Sequence, residues 1–345
     1  MGLRSYVITR IILTIPTLLL LLSAVFLIMR VLPGDPAALH FEKKADPQDV
    51  ERLRHILGMD KPLWAQYIDY VGGLVDIGYL MKHGYPNLGK SMQTYEEVGG
   101  QIFSAFPATL ELAIYSTIIA SVIGILLGVA ASKSYNSILD HVIRGFGTIT
   151  YAIPVFFLGI VFQLIFGVYL GWLPTGQRIA DINLKPATIT GLYTIDSILT
   201  GNIIALVESI KALLLPSLTL GIVLSGVFLR LTRTNMLETL RLEFVTAAKA
   251  RGLQENTVTY GYALRNAFLP VLTMMGLQFA ILLGGAVLTE TTFSWPGLGK
   301  YIVDRINFRD YTAIQGAIVV FGLFVTLVSL IVDVLYAYLD PRIRL

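Results

Sequence analysis

Residues 84–91 have the spacing of a phosphate-binding loop, with Gly84 at the start and Lys90-Ser91 at the end. In a working P-loop, a buried strand leads into a glycine loop whose amides hold phosphates, and a helix begins directly after it. Here no buried strand precedes Gly84, Pro86 removes one amide, and the residues after Ser91 show no buried helix. We therefore predict that this stretch does not bind a nucleotide.

Groups able to do acid–base, nucleophilic or metal chemistry are scarce. The four histidines, His40, His55, His83 and His141, all lie outside the long apolar runs, so no Ser–His pair can assemble at bilayer depth. The absence of cysteine excludes disulfides and thiolate metal sites. We predict no catalytic residue, no metal site and no cofactor, and therefore a chain that is not an enzyme.

Five polar side chains lie in or beside the apolar runs. Glu111, Glu290 and Asp333 are near the ends of runs; charged groups at membrane depth mark function by default, but those near an interface can reach water. A structural role is therefore the preferred interpretation for the three carboxylates. Gln163 and Gln278 lie deep in runs, where they either line a polar pathway or bond to a neighbouring helix. The pathway candidates are Gln163, Gln278 and Glu290.

The composition is that of a protein dissolved in lipid. Of 345 residues, 55% are hydrophobic and 14% charged, whereas soluble domains carry about 25% charged residues. A span takes about 20 apolar residues, and six runs are long enough: Thr9–Val31, Ala108–Ser132, Gly145–Leu173, Leu213–Leu231, Ala267–Glu290 and Thr312–Leu339. The net charge of +3 gives no reason to expect a nucleic-acid partner. We predict an all-α polytopic membrane protein with six transmembrane helices.

Prolines and glycines suggest how the spans are shaped. Pro107 is placed just before the second span, and Pro154 inside the third marks a kink that neighbouring helices can tolerate. Gly124 and Gly128, four residues apart, permit close helix contact, although the pattern is common. These features concern packing and do not name a function.

The segment 32–107, called the cap below, is polar and too long for a simple turn. One predicted helix runs from Pro47 to Gly58, and a second, amphipathic helix covers Pro62 to Leu74. We interpret the cap as a small folded region on one side of the membrane.

Basic residues on the short loops predict the orientation. One set of segments holds 12 Lys or Arg in 63 residues: 1–10, 133–144, 230–265 and 341–345. The other set holds 5 in 57 residues: 174–209 and 291–311. Because basic loops stay inside, we expect a plasma-membrane protein with both termini in the cytoplasm and the cap outside.

The stretch 241–270 is a polar, basic segment between two apolar runs. Four side chains fall at helical spacing on one face: Phe244, Ala247, Ala248 and Arg251. Gly252 suits the C′ position that ends such a helix. Since small residues let another surface approach closely, we interpret this segment as a docking element at the membrane surface.

The same stretch resembles the cytoplasmic loop signature of permease subunits of binding-protein-dependent ABC importers. In that signature Glu-Ala-Ala is followed after three residues by Gly, and further on by Ile-x-Leu-Pro. Four positions match: Ala247, Ala248, Gly252 and Leu264. Three depart from it: Thr246, Tyr262 and Arg265. These departures are typical of the dipeptide/oligopeptide branch of the family. Further stretches along the whole chain also resemble that branch: 57–63, 88–91, 106–112, 215–221, 230–233, 293–299, 309–311 and 339–342.

The resemblance implies a type I ABC importer permease with a short coupling helix over about Glu243–Gly252. Its ATPase-coupling residues would be Glu243, Phe244, Thr246, Ala247, Ala248, Lys249, Arg251 and Gly252. The chain would comprise three regions: an N-terminal transmembrane helix (1–31), the cap, and a permease core (108–345) with a coupling loop at about 232–266. The implied partners are a second homologous permease subunit, two cytoplasmic ATP-binding subunits, an extracytoplasmic substrate-binding protein and the lipid bilayer.

The transported solute stays open. Members of this branch carry dipeptides, longer peptides, oligosaccharides, nickel chelates or glutathione, and selection lies mostly in the external binding protein. Segments 79–87 and 179–209 are longer than the pattern needs, and it gives them no role. Two other classes are a self-powered carrier or channel and a membrane-anchored scaffold or sensor built on the cap.

Overall fold

The computed structural model describes residues 3–31, 47–56, 58–179 and 181–339. Its α-helices, in chain order, are α1 (Leu3–Val31), α2 (Pro47–Ile56), α3 (Leu63–Leu74), α4 (Ile77–His83), α5 (Val98–Lys133), α6 (Ile138–Ala152), α7 (Val155–Phe162), α8 (Tyr193–Leu199), α9 (Ile203–Thr239), α10 (Glu243–Ala250), α11 (Leu264–Leu283), α12 (Val287–Thr292), α13 (Leu298–Asn307) and α14 (Tyr311–Leu339). Three further helical segments are a π-helix at Gln163–Tyr169, a 3₁₀ turn at Ile182–Leu184 and a π-helix at Thr257–Ala263.

The long helices confirm an all-α polytopic membrane protein. Helices α1, α5, α9 and α14, and α11 together with the π-helix before it (Thr257–Leu283), are long and apolar enough to cross a bilayer; α6 with the bent continuation Val155–Tyr169 makes a sixth span if the pair is counted as one. Many apolar side chains along α1, such as Leu20 at 72% exposure, are not buried by protein. Their exposure fits a helix that faces lipid.

The second and fourth spans are longer than predicted. Helix α5 begins at Val98, so Pro107 lies inside it instead of before it. Val98 and Ile102 are fully buried in the main core beside Ala313 and Ala317 of α14. This burial stabilises a helical conformation before Pro107, where the proline alone had suggested that the helix begins. Helix α9 likewise extends beyond the predicted apolar run at both ends.

The third span is not the single kinked helix that the sequence suggested. Helices α6 and α7 are bent by 100° at a break, where Ile153 is extended (ψ 126°) and Pro154 precedes α7. A residue before proline is driven out of the helical region, so the chain turns here. The predicted fifth span, Ala267–Glu290, is also wrong at its end, because α11 stops at Leu283, before Gly285 at φ +97°.

Glycines bring α5 and α9 into close contact. A Cβ on Gly124 would lie 2.6 Å from the Cβ of Phe228, and a Cβ on Gly128 would lie 2.6 Å from the Cβ of Thr232. Such distances leave room for a hydrogen atom only. The close contact that the Gly-x-x-x-Gly spacing permits is therefore formed, with α9 as the partner helix.

The cap contains α2, α3 and α4, so both helices predicted there are confirmed. Its P-loop-like stretch has a structural role: the Ser91 hydroxyl and the Met92 amide donate hydrogen bonds to the buried carboxylate of Asp310, at the start of α14. Lys90 forms an isolated bridge with Glu97. The stretch fastens the cap to the last span and has neither the buried strand before it nor the helix directly after it that a nucleotide site needs.

Candidate functional site

Helix α10 is the short helix expected within the 241–270 stretch. A tight turn joins it to α9, in which the amides of Arg241 and Leu242 donate to the carbonyls of Glu238 and Thr239 at 3.2 and 3.1 Å. The helix ends as predicted, because Gly252 has φ +76°. This left-handed conformation favours glycine.

The inner face of α10 packs onto the end of the bundle. Val245 and Ala248 are 0% and 4% exposed and cluster with Val258 and Leu240. The prediction that Ala248 shares a face with Phe244, Ala247 and Arg251 is therefore wrong for Ala248. The spacing from 245 to 248 is one helical turn, and Val245, which the sequence pattern did not single out, sets the buried face.

The outer face of α10 is open. Seven of the eight predicted coupling residues are exposed: Glu243, Phe244, Thr246, Ala247, Lys249, Arg251 and Gly252. Phe244 also lines a groove of about 1010 Å³ together with Tyr260, Tyr262, Arg265 and Phe268. We call this outer face and its groove the docking surface. Aromatic and Arg side chains around a concavity are typical of surfaces that bind another protein.

The docking surface rests on tightly packed spans. Directly behind α10, a second cluster joins Val129 of α5, Met236 of α9 and Ala267 of α11. The ammonium group of Lys133 lies 3.5 Å from the carboxylate of Glu255, which follows α10. Leu240 packs against both this cluster and the Val245–Val258 cluster, so it connects α10 to the packed interior of these three helices.

A buried ion pair stiffens the same end of the bundle. Arg233 of α9 donates to both carboxylate oxygens of Asp140 in α6, at 2.7 and 2.8 Å. Asp140 is fully buried and also accepts the Asn136 amide at 3.0 Å. The pair locks α6 to α9 close to the docking surface, and no sequence pattern anticipated it.

The three pathway candidates are held by the protein in different ways. The amide of Gln163 donates to the carbonyls of Thr175 and Thr292 at 2.5 and 3.0 Å. Gln278 is half-buried, and its amide nitrogen lies 3.8 Å from the sulfur of Met274. A pathway role for these residues stays a prediction.

Glu290 lies at the centre of a polar network and is fully buried. Its carboxylate accepts the Thr109 hydroxyl at 2.8 Å and the Lys300 amide at 2.9 Å. Thr109 in turn accepts the amide of Leu298 at 2.7 Å. The network ties α5, α12 and α13 together; a pathway role for Glu290 stays a prediction.

The loop 174–209, which includes the segment 179–209 that had no predicted role, is anchored by buried charges. Arg178 is paired with Glu111 of α5 at 2.6 Å. Burial disfavours a charge on Asp196, but hydrogen bonds from Thr190, Ile189 and Gly191 outweigh it and hold the pKa of Asp196 below its usual value. The only sequence signal for this anchor was that Arg178 is the single Arg of its loop and that Glu111 lies near the end of a span on the same side of the membrane.

The fold is that of a multi-pass membrane protein with a short, outward-facing helix packed on one end of its bundle. Two family models match the chain. The first, "Binding-protein-dependent transport system inner membrane component", covers residues 120–345, and the second, "Binding-prot-dependent transport system membrane comp, N-term", covers residues 3–113.

Curated relatives match over nearly the full length. The chain is 40% identical over 341 residues to the di/tripeptide transport system permease protein DppB of Pseudomonas aeruginosa, covering 99% of this chain and 98% of that protein. It is 36% identical over 343 residues to the dipeptide transport system permease protein DppB of Escherichia coli K12, with coverage of 99% and 98%. It is 37% identical over 340 residues to the glutathione transport system permease protein GsiC of Escherichia coli O6:H1, with coverage of 99% of both.

The chain belongs to the family of binding-protein-dependent transport system inner membrane components. It is thus the multi-pass membrane component of an ABC importer, and ATP hydrolysis belongs to separate subunits.

Proposed function

We propose that this chain forms half of the translocation pathway of an ATP-driven importer of di- and oligopeptides. The curated relatives transport dipeptides, di/tripeptides or glutathione, which are all short peptides. A second homologous permease subunit supplies the other half. Glutathione is the alternative solute that a full-length relative favours directly, and oligosaccharides and nickel chelates stay open as solutes of the same machinery.

The rigid backing of α10 is the observation that carries the coupling mechanism. Two ATP-binding subunits dock under the two permease subunits, one of them on the docking surface of this chain, and their closure pushes α10 together with α5, α9 and α11. ATP drives the cycle because it binds one conformation of the complex better than the other. An external binding protein delivers solute on the side of the cap.

Two glycines in left-handed conformation provide a matched test of coupling. Gly252 (φ +76°) and Gly84 (φ +79°) both have open space where a Cβ would lie, but only Gly252 adjoins the docking surface. In the reconstituted complex, Gly252→Asp should lower substrate-stimulated ATP hydrolysis severalfold while the subunits stay assembled. Gly84→Asp should leave it unchanged, because Gly84 ends α4 in the cap. Normal stimulation in an assembled Gly252→Asp complex refutes the docking role.

The orientation and the possibility of a self-powered carrier have direct tests. Because the chain has no cysteine, Ala247→Cys and Met81→Cys create single labelling sites on α10 and on the cap. An impermeant maleimide added to intact cells should label position 81 and not position 247; the reverse contradicts both the topology and the importer mechanism. Dipeptide uptake into liposomes holding this chain alone favours a carrier or channel instead.

A further inference from the structure

A cavity of about 320 Å³ lies where the outer end of α1, the cap helix α3 and the start of α14 meet the 87–90 segment. Its volume is roughly ten times the ~30 Å³ that one water occupies in the liquid. Small-molecule sites usually have about 300 Å³ or more, so the cavity can hold more than a bridging water. It lies outside the docking surface and includes none of the pathway candidates.

Four buried polar atoms that lack a well-formed hydrogen bond belong to residues that line this one cavity. They are Nη1 of Arg30, Oε1 of Gln66, the hydroxyl of Tyr70 and Nε2 of Gln315. The side chain of Gln315 is more than nine-tenths buried. Because buried polar groups without a full set of hydrogen bonds are destabilising, and Tyr70 and Gln315 have only each other, the cavity suits an occupant that satisfies all four together.

The hydrogen bonds that these residues already make determine whether each of the four atoms acts as a donor or as an acceptor. The amide nitrogen of Gln66 already donates to the carbonyls of Met59 and Lys61, at 3.2 and 2.7 Å, so its free oxygen presents an acceptor. Burial raises the pKa of Tyr70 to about 12, despite a side-chain hydrogen bond with Gln315, so the hydroxyl is protonated at neutral pH and keeps its own hydrogen to donate. With Arg30 and Gln315, the cavity presents three donors, one of them cationic, and one acceptor.

The charge of the lining favours an anion. Arg30 and Lys90 contribute positive charge, and among the described residues the sole carboxylate of the lining is Asp69. Asp69 is already paired with Lys61, which lies 2.6 Å away. A guanidinium beside a planar amide and a phenol suits a carboxylate, whose two oxygens accept several bonds.

We propose that this cavity binds a small molecule with a carboxylate beside an N–H group, as in a free amino acid or the last residue of a short peptide. The carboxylate accepts from Arg30, Gln315 and Tyr70, and the adjacent N–H donates to Gln66. A simple phosphate ester lacks that N–H and leaves the Gln66 oxygen unsatisfied. The occupant fastens the cap to the first and last spans.

Direct binding measurements test the proposal. The chain, with the subunits that co-purify with it, is placed in phosphatidylcholine nanodiscs without the external binding protein. Binding of labelled alanylalanine is measured by equilibrium dialysis, with acetate, L-alanine, inorganic phosphate and alanylalanine amide as competitors. We expect saturable binding that L-alanine displaces, that acetate, which lacks the adjacent N–H, displaces more weakly, and that the amide, which lacks the carboxylate, does not displace. Competition by L-alanine as strong as by unlabelled alanylalanine assigns the site to free amino acids, and weaker competition assigns it to short peptides.

Variants locate the bound probe. Arg30→Gln should weaken binding at least tenfold, and Tyr70→Phe and Gln315→Leu severalfold each, because each removes one donor. Lys82→Gln, which removes a cation of the cap outside the cavity, should bind as the unmodified chain does. If Arg30→Gln fails to assemble, the two smaller substitutions decide the question. Absence of saturable binding, equal displacement by phosphate or by the amide, or unaltered binding in Tyr70→Phe and Gln315→Leu overturns the assignment.

Discussion

Arg178 and Glu111 form an ion pair whose side chains are only 7% and 3% exposed. The guanidinium donates through Nη2 at 2.6 Å and Nε at 3.0 Å to one carboxylate oxygen, while the other oxygen accepts the amide and hydroxyl of Thr194. Arg178 also lies 3.8 Å above the ring of Tyr193. One acidic side chain of α5 therefore organises the loop that precedes α9.

Removing the cation alone should destabilise this region strongly. In Arg178→Met the Glu111 carboxylate stays buried without its counter-charge, a change that lowers stability by about 3–5 kcal/mol in buried pairs. Thermal unfolding of the purified complex and hydrogen exchange at residues 190–199 would measure it. Lys211→Met breaks the more exposed pair with Glu208 and should change stability by less than about 1 kcal/mol. Equal effects of the two variants contradict a structural role for the Arg178–Glu111 pair.

Local patterns were readable from the sequence, and long-range polar pairs were not. Six apolar runs, the helix end at Gly252 and the Gly124–Gly128 contact follow from periodicity and residue size. The Arg178–Glu111 pair joins residues 67 positions apart, and no local pattern says which Arg meets which Glu. The 100° bend between α6 and α7 was underestimated because a proline shows where a helix is interrupted, while packing sets the angle.

The glycine contact between α5 and α9 should not tolerate an added methyl group. In Gly128→Ala the new Cβ meets the Cβ of Thr232 at 2.6 Å and the carbonyl oxygen of Leu229 at 2.9 Å, so the helices must separate. Overpacking of this kind lowers stability by about 1–3 kcal/mol. Gly145→Ala in α6, where no atom lies within 4 Å of the new Cβ, should be neutral or slightly stabilising. Detergent-dependent unfolding of both variants measures the difference, and a neutral Gly128→Ala would show that the contact is looser than described.

The hydrogen bonds from the cap to Asp310 predict that removing the Ser91 hydroxyl weakens the attachment of the cap to the last span. In Ser91→Ala the buried carboxylate of Asp310 loses the Ser91 bond, which should weaken cap docking by about 1–3 kcal/mol. Limited proteolysis of residues 84–97 should become faster. Ser104→Ala removes an exposed hydroxyl that bonds only within α5 and should leave the cleavage rate unchanged. Unaltered proteolysis in Ser91→Ala would assign cap docking to the surrounding apolar contacts instead.

Two adjacent alanines of α10 allow the packing of this helix against the bundle to be tested separately from its proposed contact with a partner subunit. Ala248 is 4% exposed and packs within the Val245–Val258 cluster, whereas Ala247 is exposed. Ala248→Leu should overpack the inner face, loosen α10 by about 1–3 kcal/mol and raise hydrogen exchange over residues 243–258. Ala247→Leu should leave that exchange unchanged and alter only substrate-stimulated ATP hydrolysis, because its side chain is exposed and, in the proposed complex, would meet the ATP-binding subunit. If Ala247→Leu raises exchange as much as Ala248→Leu does, α10 is held by its outer face, and the division between a buried support and an open docking surface is wrong.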